Sequence, residues 1–514
     1  MPTKSHVQIV WLKRDLRVTD HRPLVEAAAR GVVLPLYIAE PSILLAPDAD
    51  PIHWSFIRDS LESLREELAA LGASLRLEIG EAIDVFDRLA REFEIDGLWA
   101  HEETGNGRTY ARDRAVRAWA KSRAIPFREA PTGGTVRRLK NRDIWHENWQ
   151  MRMSESILLA PNLRGWDGAP SEIPTHADLG LPPDRRQILQ RGGARRAHVV
   201  LEDFLHRRGR NYPREMSSPL TAFGSCSRLS PHLAFGTMSL REAVVAGRVR
   251  RLDAEESGEG DWSRALAAFE SRLQWRDHFT QKLEDEPEIE FHPFLRSFED
   301  LRADGNDPDR FEAWRMGLTG FPMVDASMRA LEATGYLNFR MRAMVTAFAG
   351  YSLWLDWRLF HNHLATRWTD YDCGIHISQL QMQSGTTGIN ALRIYNPLKQ
   401  SLDHDPKGRF IRRWIPELAG VPDAYIHEPH LMTELQARAC GAQTYPRPIV
   451  DFGASISQAR RKIAEFRLRP GVWEEANDVQ RRHGSHRGQR PPMRPMPPAP
   501  DPQPALQLDL AGSG

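Results

Sequence analysis

Val7-Gln8-Ile9-Val10-Trp11-Leu12, a polar loop, Leu24-Val25-Glu26-Ala27-Ala28-Ala29, then Val32-Val33-Leu34-Pro35-Leu36-Tyr37-Ile38: two apolar runs of strand length enclose a helical pattern, which makes a β-α-β unit. Parallel strands need a crossover, and helices then cover both faces of their sheet, so such strands read as continuous apolar runs. An amphipathic stretch over 53–71 follows, then a strand at 74–79, a helix at 82–93 and the run Gly97-Leu98-Trp99-Ala100. Residues 1–135 therefore read as a doubly wound α/β domain with a parallel sheet.

Beyond this unit the pattern changes. Residues 136–197 hold many Pro, Gly and Arg with weak periodicity and read as an inter-domain linker. After His198 strand signals almost vanish. Leu266, Phe269, Leu273 and Phe279, then Met341, Val345, Phe348 and Leu353, recur at helical spacing, so 198–480 is expected to be a large all-α domain. From Arg481 the chain is basic and His/Gly-rich, then Pro-rich. It cannot bury enough apolar surface there to offset its entropy, so 481–514 is expected to be a disordered tail.

Composition narrows the function classes. With 41% hydrophobic and 27% charged residues the chain is globular. Its formal charge of +1 means that a nucleic-acid partner must be met by a local basic patch. Cys226, Cys373 and Cys440 show no CxxC or CxH spacing, which supports neither a disulfide framework nor a metal site. No window approaches the roughly 18 apolar residues of a membrane span, and the N-terminus does not read as an export signal. A cytoplasmic location and no membrane partner are expected.

Three segments of the helical half carry chemistry. In Gly224-Ser225-Cys226-Ser227-Arg228-Leu229-Ser230-Pro231, small hydroxyl residues precede a helical run, a turn able to present N–H groups to a phosphate or simply to cap a helix. Leu273-Gln274-Trp275-Arg276-Asp277-His278-Phe279 places an Arg and a Trp on one helix, for a phosphate and a planar ring or for a surface ion pair over a core Trp. The third stretch is the densest. It runs from Gly317-Leu318-Thr319-Gly320-Phe321-Pro322 through Asn338-Phe339-Arg340-Met341-Arg342, Leu355-Asp356-Trp357-Arg358 and Asp370-Tyr371-Asp372 to Arg393-Ile394-Tyr395-Asn396-Pro397.

The order and spacing of these pieces, with Val10-Trp11-Leu12-Lys13-Arg14-Asp15-Leu16-Arg17 at the start, resemble the photolyase/cryptochrome family over nearly everything before the tail. The resemblance implies FAD folded into a U within the helical domain. Ser227, Leu229 and Ser230 match the phosphate-cradling turn, and Cys226 stands where a Thr is common. Tyr212 and Arg276 are placed against FAD as well, with Asp277 replacing the Glu of a Trp-Arg-Glu motif. Arg342 and Asp370 match the charged pair beside the flavin, and Asp372 the carboxylate at its N3 and ribityl side. Such a pair makes physical sense, because a buried anionic flavin needs a fixed positive charge and an Asp keeps the Arg oriented.

For function, the resemblance implies light-driven repair of UV-induced pyrimidine dimers in DNA by electron transfer to a flipped-out lesion. The alternative within the family is a blue-light photoreceptor or redox flavoprotein without repair. Catalytic positions are read at Trp275, Arg272, Trp357, His376 and Met382. Several depart from the commonest pattern: Arg272 replaces a lesion-binding Glu, His376 replaces the Asn beside flavin N5 and is expected to supply a proton near neutral pH, and Met382 replaces a Trp. Asn338 and Phe339 stand where His-Asn is common. Leu380 replaces the flavin-proximal member of a three-Trp electron chain whose middle member is Trp357, leaving Trp354, Trp368, Tyr371 or Tyr395 as other stations. UV-damaged DNA is the expected partner, Lys407, Arg409, Arg412 and Arg413 the expected rim for its phosphates, and a monomer the expected state. A second, antenna chromophore of unspecified identity belongs to the strand-end cleft of the first domain by the same resemblance.

Overall fold

The structure, a computed structural model, describes residues 4–484 other than 185, 187, 188, 390 and 391. The tail expected from 481 onward thus falls mostly outside the described residues.

Five parallel strands, β1 (His6–Leu12), β2 (Val33–Ala39), β3 (Arg76–Ile79), β4 (Glu94–His101) and β5 (Phe127–Ala130), form one sheet in the order β3-β2-β1-β4-β5. Strand β1 sits at the centre, with Val10 opposite both Pro35 and Trp99. Its alternation divides two cores. Ile9 and Trp11 join Phe86 on one face, whereas Val10 and Leu12 join Trp54 and Leu61 on the other. The helix Pro51–Ala70 begins at a capping box in which Asp50 accepts from Ile52.

The remainder is helical. Its hub is the 26-residue helix Gly260–Asp285, which packs on Leu240–Glu256 and on Cys373–Ser384. Two departures from the sequence reading bear on the site. The 136–197 stretch contains the helix Trp145–Met153, whose residues Trp145, Trp149 and Met153 are buried. Farther on, Val33 donates to the Arg164 carbonyl, and Trp166 donates back to Val33, so the stretch is tied to the sheet. At the other end, the helix Val472–His483 passes position 481 and buries His483 against Phe294, where its Nε2 lies 2.7 Å from Glu286. That tertiary anchor outweighs the local composition.

Candidate functional site

A cavity of about 1290 Å³ opens among the helices. This exceeds the roughly 300–1,000 Å³ of an ordinary small-ligand pocket. One wall is a stripe of the Gly260–Asp285 helix. Phe269, Arg272, Trp275, Arg276, Phe279 and Lys282 line the cavity, at the three- and four-residue spacing that keeps side chains on one helix face. At 1.5 Å per residue this wall is about 20 Å long.

Two charged pairs belong to the lining. Arg342 donates to both carboxylate oxygens of Asp370, at 3.0 and 2.9 Å, and from Nε to the Leu337 carbonyl. Its guanidinium lies 4.2 Å from the centre of the Trp368 ring. Burial pushes the Asp370 carboxyl up, but Arg342 and the Ser230 hydroxyl outweigh it and hold the group below the usual aspartate range. Arg276 bridges three chain segments: it reaches Asp372 at 3.0 Å, Asp277 at 2.9 Å and the Leu233 carbonyl at 3.2 Å. Asp372 also caps the helix Cys373–Ser384.

The Ser227-Arg228-Leu229-Ser230 turn forms another part of the lining. Arg228 is in the left-handed region (φ 60°), its guanidinium 3.6 Å from the centre of the Tyr336 ring. Arg208 holds the turn from outside through the Cys226 and Ser227 carbonyls. Tyr212 and Cys226 line the same region, and burial pushes the Cys226 thiol up, so it stays protonated.

His376, Leu380 and Met382 reach the cavity from the Cys373–Ser384 helix. The His376 Nε2 lies 3.1 Å from the His361 carbonyl, which can only accept, so Nε2 carries the proton and Nδ1 is an acceptor. Burial, with His361 beside it, holds the imidazole well below its ordinary value. This corrects the expectation that His376 supplies a proton near neutral pH: the ring is neutral and its one proton is engaged. Trp357 is buried behind the lining, its ring 6.4 Å from His361, which lies 5.0 Å from His376. Trp368, Tyr371 and Tyr395 line the cavity, whereas Trp354 packs elsewhere, between Arg302 and Lys462.

The expected basic rim is not part of the lining. Asp405 caps the helix Arg409–Trp414, and Arg412 is spent on the Val421 carbonyl and Asp423. Lys282 and Tyr336, which carry no signal in the sequence, do line the cavity, as does Arg393, which the sequence marks only as part of the Arg393–Pro397 motif. Sequence reasoning also missed the support from the first domain. Arg14 donates to the carbonyls of Ala234 and Tyr371, and the His53 Nε2 lies 2.9 Å from the Trp368 carbonyl. Gly236 makes that approach possible: its φ is +66°, and a Cβ there would lie 2.2 Å from the Arg14 carbonyl oxygen. The only available signal was the Lys13-Arg14-Asp15-Leu16-Arg17 run itself.

At the strand ends of the first domain, where doubly wound sheets hold ligands, charged side chains form a network. Arg112 pairs with Glu40 at 2.9 Å, Glu103 at 2.7 Å and Asp113 at 2.8 Å, and Lys13 closes the group on Asp113 at 2.7 Å, all of them buried or nearly so. Nearby, His21 and His101 both contact Asp15, at 3.0 and 2.7 Å. Because the His21 Nδ1 accepts from the Leu24 amide, this is a filled hydrogen-bond node.

Comparison with known proteins gives a consistent picture. Residues 269–465 match the FAD binding domain of DNA photolyase, and residues 8–138 match the DNA photolyase family. The chain is 30% identical to the cryptochrome DASH of Gloeobacter violaceus over 491 residues, covering 89% of this chain and 95% of that one. It is also 30% identical to the deoxyribodipyrimidine photo-lyase of Streptomyces griseus, over 90% and 99%. Among solved structures, a Synechocystis cryptochrome superposes with a TM-score of 0.79 at 25% identity, covering 90% of this chain and all of that one. A class III photolyase from Agrobacterium tumefaciens gives 0.78 at 25%, covering 91% and 99%.

Proposed function

This chain belongs to the photolyase and cryptochrome family, and from that premise we propose that its helical cavity binds FAD and repairs UV-induced pyrimidine dimers in DNA under light. The observation that carries the proposal is a cavity of about 1290 Å³ lined by two partly buried Arg–Asp pairs together with the aromatic side chains of Trp275 and Phe279. The residues present fit FAD. Asn338 donates to the Met216 and Ser217 carbonyls, yet its buried Oδ1, on the cavity lining, has no partner, which leaves an acceptor for a ligand N–H.

Bound there, FAD supplies light-driven one-electron chemistry. The protein supplies position and charge. Arg342, oriented by Asp370, sets a fixed cation in the wall; Arg276 and Asp372 set a second, and the Ser227–Ser230 turn offers hydroxyls and N–H groups for phosphate. His376 holds its proton at Nε2 and offers Nδ1 as an acceptor. Trp275, with Phe279 tilted 5.6 Å from it, gives a face on which a flipped base stacks.

The deciding experiment illuminates FAD-loaded, reduced protein with blue light in the presence of DNA carrying cyclobutane or (6-4) lesions and follows lesion loss by chromatography. Loss of one lesion type supports the proposal; survival of both rejects it. A photoreceptor without repair is favoured by one observation, that Arg272 replaces a carboxylate on the cavity wall, and it predicts that second outcome.

Electrons reach the cavity from Trp357 past His361 and His376 in this reading, since Leu380 offers no redox-active ring. Trp357→Phe is therefore expected to slow light-driven reduction of oxidised FAD several-fold, as followed by flavin absorbance. An unchanged rate would assign the path to Trp368 or Tyr371 instead.

A further inference from the structure

The end of the cavity bounded by the last helix, Val472–His483, has its own chemistry. Lys282 is 5% exposed and lines the cavity there, and its ammonium makes no hydrogen bond or ion pair to any described residue. Its Nζ lies 5.5 Å from the centre of the Phe279 ring and 5.6 Å from that of Phe294. Arg393 lines the same cavity and is near enough to Lys282 to repel its charge. Among the described residues, the carboxylates of the lining, Asp370 and Asp372, are engaged by Arg342 and Arg276. A buried ammonium with aromatic neighbours and no carboxylate partner is costly unless an anion from outside the chain meets it.

We propose that Lys282 and Arg393 form an anion subsite that takes a phosphate of a nucleotide ligand stacked on Trp275 and Phe279. Spacing supports a ligand larger than the anion alone. Lys282 and Phe279 are three residues apart and Trp275 four further back, so cation and rings share one helix face. The inference rests on FAD occupying the Ser227–Ser230 end of the cavity, but not on repair.

The electrostatics of the site set its pH dependence. Burial, then Arg142 and Arg393, push the Lys282 ammonium down to about 7. Around it stand Arg142 from the Arg142–Ile144 turn, Arg393 from the segment before Pro397, and His483 from the last helix, itself lowered by burial to about 4 and so neutral. On its own helix, Asp285 lies 3.7 Å from Arg142, and Glu286, just beyond, is bound to His483. Because the free ammonium is disfavoured, anion binding draws a proton onto Lys282 above pH 7. Affinity then falls as pH rises through 7, by about tenfold between pH 6 and pH 8.

The test uses the full chain loaded with FAD, with flavin content measured in every variant. Thymidylyl dinucleotide bearing a 5′ phosphate, the same dinucleotide without it, and inorganic phosphate are titrated by calorimetry at pH 6 and pH 8. The phosphorylated dinucleotide is expected to bind at least about tenfold more tightly at pH 6 than the unphosphorylated one, with proton uptake at pH 8. Lys282→Met should abolish that difference and Lys282→Arg should retain it at both pH values. Equal binding of the two dinucleotides, or a difference that survives in Lys282→Met, overturns the proposal. Inorganic phosphate binding as tightly as the phosphorylated dinucleotide overturns its nucleotide part. Flavin-replete protein that fails these titrations refutes the subsite alone, whereas protein that cannot take FAD refutes the reading on which it rests.

Discussion

Asp370→Ala is expected to lower stability by about 1–3 kcal/mol, the usual effect of removing one side of a partly buried, charge-assisted hydrogen-bonded pair, and to leave the purified protein nearly colourless. The carboxylate receives two hydrogen bonds from Arg342, at 3.0 and 2.9 Å, and removing it strands a guanidinium held in place by the Leu337 carbonyl and the Trp368 ring. Flavin absorbance per protein and urea unfolding check the two effects separately. The wild-type pair also has an acid limit. Because the folded carboxyl is held below its ordinary value of 3.8, its contribution is fully present above that pH and is lost as pH falls through the lower folded value. Asp370→Ala should therefore flatten the acid limb of the stability curve. A variant with full flavin content and wild-type acid unfolding would show that the pair supports neither cofactor nor fold.

A still larger loss is expected from Arg276→Met, because this cation serves two carboxylates. Asp277 is fully buried and also accepts from the Gly134 amide at 2.6 Å and the Trp149 indole at 3.1 Å. Asp372 caps the helix that carries His376, Leu380 and Met382. Without Arg276 both carboxylates lose their cationic partner, Asp277 in a fully buried position, so about 3–5 kcal/mol is lost, along with FAD. Burial already raises the Asp277 carboxyl above the usual aspartate range even with Arg276 beside it. Protonation relieves the variant, so its stability should rise as pH falls from 7 toward 5, a slope opposite to that of the acid limb set by Asp370. Denaturant unfolding at the two pH values reads that slope. A variant that is no more stable at pH 5 than at pH 7 contradicts this account of Asp277.

How much of this was legible depends on how far apart in sequence the determining contacts lie. The central strand could be read because β1 alternates within seven residues, sending Ile9 and Trp11 to one core and Val10 and Leu12 to the other. Arg342, Asp370 and Asp372 were legible because motif spacing ties them together. The helix Trp145–Met153 was overlooked although Trp145, Trp149 and Met153 recur every four residues, since the surrounding Arg and His masked the pattern. Lys282 could not have been found: a lysine on an amphipathic helix reads as surface, and only Phe294, Arg393 and the last helix make it interior. His483 illustrates the same limit. Its burial depends on Glu286, 197 residues away, and nothing in the basic run around it signals that contact. The rim reading failed at Arg412 for a related reason, because the Val421 carbonyl and Asp423 that engage its guanidinium lie nine and eleven residues downstream.

The bonds from Arg14 and His53 to the carbonyls of Ala234, Tyr371 and Trp368 also bear on modularity. Each half of the chain finishes the other, so a helical fragment produced alone would present those three acceptors to solvent beside its own ligand chamber. Grafting this half, which carries its own Gly236 at the crossing point, onto a relative's sheet should succeed only when the donor supplies an arginine and a histidine at the matching places.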